Sequence, residues 1–400
     1  MKLTPTPTLR IPMNRPLALS TAVLMAVGLA SIAARAQQAQ PPQPQPPLEP
    51  FRGVTGSGTV EPGLFPVRRT GLRLEPMREA ASTFLDALTP AQRAQTQFPL
   101  QSDVRRRWNN VSSAPRFGLS YAEMSPVQRQ RADGLLRAFL SAEGYRQSKA
   151  IMLINGYLAE ATGNSTRYGA DQFWITVFGT PSQTEPWAWR LEGHHLVLFV
   201  SVVGDQVVMT PTFMGAEPTR IPSGIHRGVS VMGREEAAGR ALIQSLSPAQ
   251  NRAAQLSANK QGSNILTEAY KDNAVVAPVG ISARQLSSRQ RQLLLAIVKS
   301  YADQYRQELS AQRLREVEDH LDDTRFAWIG RNGIDAPIYY RIQSPVVLIE
   351  FDQQRPLSLP GDPNVPLRTH VHTVVRTPNG NDYGADLLRQ HLLEHHLSTP

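Results

Sequence analysis

Two histidines one residue apart, His370-Val371-His372, stand in a β-branched stretch. Alternate side chains of a strand share a face, so both rings would point the same way, close enough to hold one metal ion. A second pair, His194-His195, lies inside another strand-like run, Trp187 to Val203. Neighbouring strand residues point to opposite faces, so only one of His194 and His195 can join a given site. The set suggests a mononuclear centre with His370, His372 and one of His194 or His195 as ligands. Glu192 or Glu350 would serve as a carboxylate ligand or general base. Such a set with one open position suits a divalent metal such as zinc, iron or copper, which lowers the pKa of bound water and generates a nucleophile near neutral pH. The alternative is a polar core, or a metal-free site that holds an anionic ligand beside Arg190 and Arg341.

Arg190 and Arg341 carry the planar guanidinium that suits bidentate carboxylate or phosphate recognition, and a structural salt bridge is the competing reading. Trp189 and Tyr340, with Trp187 and Tyr339, could line a substrate pocket or simply fill a core with their polar tips hydrogen-bonded. Asp382 could orient a ligand histidine through a hydrogen bond, or help cap the helix that follows. His391 could face inward beside it. His391-Leu392-Leu393-Glu394-His395 matches the order of an inverted zinc-protease motif, but the further downstream carboxylate of those enzymes has no place in the five residues after His395. There is no Gly-x-Ser-x-Gly elbow, phosphate-cradling glycine loop or dinucleotide fingerprint, which disfavours serine hydrolases, NTPases and dehydrogenases.

The elements that must position these residues are written twice. Phe84 to Gln92 (FLDALTPAQ) aligns without a gap with Leu242 to Gln250 (LIQSLSPAQ). Gly118-Leu119-Ser120 and Gln128-Arg129-Gln130 align with Gly280-Ile281-Ser282 and Gln290-Arg291-Gln292. Gly179, Pro186 and Trp189-Arg190-Leu191 align with Gly330, Pro337 and Tyr340-Arg341-Ile342. Each half has a helical front, with apolar residues at three- and four-residue steps such as Leu135, Leu136 and Phe139. Thr89, Ser125, Ser247 and Ser287 suit helix N-caps. Each half then has a β back: Phe173–Phe178, Trp187–Val203 and Gln206–Phe213, answered by Arg325–Ile329, Ile338–Ile342, Val346–Phe351 and His370–Arg376. Gly204-Asp205 would turn the run ending at Val203 into the one starting at Gln206. Arg355 to Pro366 reads as a surface loop, and a last helix spans about Tyr383 to His396. The expected fold is α+β: two helical-plus-β repeats, 53–230 and 231–400, related by a pseudo-twofold axis and sharing one core.

Residues 1–36 read as an export signal. Lys2, Arg10 and Arg15 precede the apolar run Leu17 to Ala34, and Ala34-Arg35-Ala36 offers a cleavage site before Gln37. An uncleaved membrane anchor is the competing reading. Residues 37–52, rich in Pro and Gln, form an extended linker. A secreted or periplasmic location follows, with no membrane span once the signal is removed. The chain has no cysteine, so it has neither disulfides nor thiolate ligands. The formal charge of +9 falls to +5 when Lys2, Arg10, Arg15 and Arg35 leave with the signal. Export together with dispersed charge argues against a nucleic-acid partner.

Three stretches stand out together: Trp108 with Pro115-Arg116 and Gly118-Leu119; Pro186 to Leu196 (PWAWRLEGHHL) followed by Pro211, Phe213 and Gly215; and Tyr339 to Ile342 with Ile349-Glu350, His370-Val371-His372, Asn381 to Gly384 and His391. On these residues the chain resembles the bacterial domain-of-unknown-function family 3500. The resemblance spans roughly Gly53 to His396; Val375 departs from it, where a larger aromatic is expected. The resemblance implies that these histidines belong to the family's pattern, and it implies no particular activity. Three functions stay open: metal-assisted hydrolysis or oxidation of a small or polymer-derived substrate, metal-free binding of a small ligand outside the cytoplasm, and, third, a purely structural cell-surface role.

Overall fold

Short β-branched and aromatic runs, too brief for helices, pair side by side into one sheet. The structure, a computed structural model, describes residues 47–333 and 335–395. The export signal and the linker before residue 47 therefore lie outside the described residues. The strands are β1 (Gln97–Phe98), β2 (Leu119–Ser120), β3 (Phe173–Phe178), β4 (Trp187–Gly193), β5 (Leu196–Val203), β6 (Gln206–Val208) and β7 (Thr212–Ala216). They continue with β8 (Gln255–Ser257), β9 (Ile281–Ser282), β10 (Arg325–Gly330), β11 (Ile338–Gln343), β12 (Leu348–Gln353) and β13 (Val371–Arg376). Their order across the sheet is β1-β3-β4-β5-β7-β13-β12-β11-β10-β8. The central pair, β7 and β13, is antiparallel, from Val371 opposite Ala216 to Val375 opposite Thr212. The protein is α+β, with a large mixed sheet.

The run Trp187 to Val203, expected as one strand, is two. It turns back at His194-His195, so that β4 pairs with β5 from Trp187–Val202 to Gly193–Leu196. His195 adopts a left-handed backbone, φ 61°, which reverses the chain without a glycine; histidine tolerates that region better than most residues.

The two faces of the sheet differ. One carries Trp189, Leu191, Leu198, Met214, Tyr340, Ile349 and Phe351, which form the main apolar core. It is covered by α1 (Glu75–Asp86), α2 (Pro90–Thr96), α3 (Pro126–Phe139), α4 (Ala142–Thr162), α5 (Gly233–Ser245), α6 (Pro248–Ala254), α7 (Ser288–Ala302) and α8 (Gln307–Asp319). Phe139 of α3 packs its ring 5.3 Å from Trp189. The opposite face carries Arg190, Glu192, Phe199, Phe213, His372, Val374, Glu350 and Arg341, as the pairing register requires. Loops cover it: Phe51, Leu100, Val104, Ile265 and Ala269 pack on a second cluster built on Trp108, Phe199, Phe213 and Tyr383.

Thr89, Ser125, Ser247 and Ser287 each cap a helix, and each sits in a capping box with the glutamine three residues on. The boxes are joined in pairs. Gln128 donates to Gln92 at 2.7 Å and Gln290 to Gln250 at 2.9 Å. The last helix, α9 (Ala385–His395), starts two residues later than expected because Tyr383 is left-handed, φ 63°. Among the described residues no helix is long and apolar enough to cross a membrane.

Candidate metal centre

Three histidines converge where the β4–β5 turn meets the start of β13. The ligand atoms of His195, His370 and His372 all lie within 4.8 Å of one another, and all three residues are buried. Nε2 of His372 is 3.1 Å from Nε2 of His370 and 3.1 Å from Nε2 of His195. Each ring is placed by its own segment. The turn at His195 is pinned by its N–H donating to the Asn110 carbonyl at 3.1 Å and its own carbonyl accepting from Gly215 N–H at 2.8 Å. Gly215 faces His372 across the central pair. A Cβ there would come within 2.6 Å of the Val371 carbonyl and 3.2 Å of the His372 ring, so glycine leaves the room that ring needs.

His370 has a fixed tautomer. Its Nδ1 is 2.5 Å from the Arg355 carbonyl, which can only accept. Nδ1 therefore carries the proton, and Nε2 presents a lone pair to the other rings. The carboxylate of Glu217 stands behind it, 3.8 Å from Nδ1. That carboxylate is held by the backbone N–H groups of Leu357, Ser358 and Leu359 at 2.8–3.1 Å.

A neutral imidazole has one N–H, so His372 cannot satisfy both neighbours. If its Nε2 donates to His370, no lone pair is left for His195. If it accepts from His195, it turns a lone pair on the lone pair of His370. A second proton would resolve the conflict, but burial, followed by neighbouring histidines, holds His195 and His372 well below the usual imidazole range. Burial lowers His370 as well, against the raising pull of Glu217. A cation at the common focus would take all three lone pairs. Nitrogens bound tetrahedrally to zinc at about 2.0–2.1 Å lie ~3.3 Å apart, close to the spacing found here. The Nδ1–Arg355 hydrogen bond is the outer partner that a metal-ligating histidine usually has. Nδ1 of His372 has no protein partner among the described residues.

His372 also lines a cleft with Asn109, Asn110, Glu268, Tyr270 and Arg355. Burial, reinforced by Glu350 and Asp352, raises the Glu268 carboxyl above its ordinary value. Tyr270 is left-handed, φ 62°. Loop residues of this kind have no periodic signature, and the sequence reading did not single out Glu268, Tyr270, Asn110, Glu217 or Arg355.

The other expected site residues are placed as follows. His194 is turned away from the three-ring focus. It stacks on His195 with centroids 3.8 Å apart, and its Nδ1 meets Asn155 Oδ1 at 2.9 Å. Burial, then Arg116, lowers its pKa to about 3. Glu192 lies outside the histidine group; it is ion-paired with Arg190 Nε at 2.7 Å and accepts from Arg116 Nη1 at 2.6 Å and Asn109 N–H at 3.0 Å. Glu350 is likewise outside it, held by Thr267 Oγ1 at 2.6 Å, Tyr339 OH at 2.8 Å and the N–H groups of Leu266 and Thr267. Arg341 stands opposite Glu350 and donates to the Ala277 carbonyl at 3.2 Å.

Trp189 and Tyr340 occupy the helix-facing core, on the opposite side of the sheet from His372, so they do not line the histidine site. Tyr340 OH meets Tyr301 OH at 2.7 Å there. Asp382 pairs with Arg376 at 3.3 Å and accepts from Thr377 N–H at 2.7 Å; among the described residues no histidine is hydrogen-bonded to it. Burial raises its pKa to about 6. His391 lines a different cleft with Val203, Gly204 and His395, at the far end of β5 from the β4–β5 turn.

Fold and site together define a class: an α+β protein with a buried all-histidine group beside a polar cleft. Residues 70–385 match the model of a family described as proteins of unknown function (DUF3500), and the chain belongs to that family. No curated protein and no solved structure matches it.

Proposed function

We propose that the chain is an exported metalloprotein that binds one zinc, iron or copper ion through His195, His370 and His372. The observation that carries this reading is the meeting of three Nε2 atoms that cannot all be satisfied as neutral rings. Its coordination is completed from the cleft of Asn110, Glu268, Tyr270 and Arg355, where a small or polymer-derived substrate binds. A metal held there would supply the Lewis acidity to lower the pKa of a bound water for hydrolysis, or, with an external oxidant, a redox centre for oxidation. Glu268, whose carboxyl holds its proton more tightly than usual, then takes the general-base role that the sequence offered to Glu192 or Glu350. Those two carboxylates hold the loop layer to the sheet.

Export is supported by the basic-apolar-small order of residues 1–36. Duplication of one helical-plus-β unit, with a boundary near residue 230, is supported by the matched capping boxes. It is supported equally by a strand order that reads the same outward from β7 and from β13: β5-β4-β3-β1 on one side, β12-β11-β10-β8 on the other.

The test is cobalt substitution of chelator-treated protein. One equivalent of Co²⁺ should give the intense visible bands of a low-coordinate site, and His372→Ala should abolish them while His194→Ala keeps them. Bands that survive His372→Ala, or none in the wild type, refute this ligand set. In the latter case the metal-free binding function becomes the better account.

A further inference from the structure

The cleft beside His372 has a volume of about 590 Å³, within the range of sites for small organic ligands. Two residues that line it are amides more than nine-tenths buried, Asn110 at 5% and Gln354 at 4% exposure. The backbone of Gln354 is fully engaged. Its N–H donates to the His370 carbonyl at 2.8 Å, and its carbonyl accepts from Leu367 N–H at 2.8 Å. Its Nε2 donates to Ser263 Oγ and to Asp352 Oδ2, each at 3.0 Å. A carboxylate oxygen can only accept, which fixes the orientation of the amide. The remaining Oε1 has no hydrogen-bond partner among the described residues, and it is not sealed from water. Gln354 therefore reaches the cleft with an acceptor. Asn110 is held in the same way. Its carbonyl accepts from His195 N–H at 3.1 Å, while its side-chain amide is unpartnered among the described residues and open to water.

A ligand that satisfies both amides must bring a donor for Gln354 and both a donor and an acceptor for Asn110. A carboxylate or a fully ionised phosphate brings acceptors only, whereas every alcohol hydroxyl brings both. Val111 and Leu357 lie on the same cleft as exposed apolar residues. Closely set hydroxyls beside C–H faces are the chemistry of a sugar ring. We propose that this cleft takes a sugar unit, which makes a saccharide the substrate class of the metal centre; that second step rests on the metal function itself. Gln354 and Asn110 receive the hydroxyls, and Val111 and Leu357 receive the C–H face. A cleft built this way rejects a ligand of the same size without hydroxyls, because its amides then stay unpaired.

Ligand-observed NMR titrations of the purified protein test this with glucose, mannose, galactose, N-acetylglucosamine, cellobiose and chitobiose. Benzoate and tetraalanine serve as controls without a sugar ring. At least one sugar should bind, and more tightly than either control. Gln354→Met keeps the length of the side chain and removes the acceptor, so it should weaken that sugar about tenfold, the size of one net hydrogen bond. Asn110→Leu gives the same test should Gln354→Met fail to fold. No sugar bound, a control bound more tightly, or sugar binding unchanged in both variants would each overturn the proposal. The cobalt bands separate this outcome from that of the metal. Bands without sugar binding would sink the saccharide alone, and sugar bound by a chain that gives no bands would uphold the saccharide site and refute the metal.

Discussion

At the scale of single residues, the site depends on His372, whose Nε2 stands between two others. Removing it leaves His195 and His370 without the ring that links them, so His372→Ala should lose metal affinity outright. Gly215→Ala tests the space beside it. The added methyl would press on the Val371 carbonyl and the His372 ring, and overpacking of this kind costs about 1–3 kcal/mol. Urea melts should show that loss together with weakened metal binding. If metal affinity were unchanged, the close approach at Gly215 would have no part in positioning the ring.

The acid response of the apo chain follows from the same burial. His194 titrates at about 3 instead of 6.5 in the folded chain. The unfolded chain takes up its proton below about 6.5 and the folded chain resists until about 3, so stability falls as pH drops through that window and is untouched above it. The depressed values of His195, His370 and His372 act with the same sign. Denaturation midpoints of chelator-treated protein between pH 7 and pH 5 should decline, and His194→Gln should flatten part of the slope.

His370 and His372 were legible in the sequence because a strand repeats every two residues. Which of His194 and His195 joins them was not. That depends on a left-handed turn held by Asn110 and Gly215, contacts made across long stretches of chain.

At the scale of elements, α2, α3, α6 and α7 follow from the serine or threonine before each capping glutamine, and most strands from their β-branched and aromatic runs. Where β4 ends and β5 begins did not follow, because His194-His195 contains none of the glycine or asparagine that usually marks a tight turn. The loop layer that supplies Glu268 and Tyr270 was equally hidden, since its order comes from groups on the sheet. Glu350 gathers Leu266 and Thr267, and Glu192 gathers Asn109. Matched caps give a matched prediction. Ser125→Ala and Ser287→Ala should each cost about 1 kcal/mol, within the usual range for an N-cap. Chemical denaturation of the two variants checks it, and a marked difference would show that the two boxes bear unequal loads.

At the scale of the whole molecule, a sheet continuous from β1 to β8 would place the proposed metal and folding stability in one equilibrium. The histidines come from segments 177 residues apart in sequence, so a bound ion ties the β4–β5 turn to β13. An ion at a hundred times its dissociation constant should add about 2.7 kcal/mol to folding stability, and chelation should remove it. With no cysteine in the chain, no disulfide masks the difference. The most direct measurement is elemental analysis of the purified protein beside His372→Ala. The account predicts close to one zinc, iron or copper per wild-type chain and none in the variant. A wild-type protein without metal, whose melting temperature does not rise when these ions are added, would contradict it.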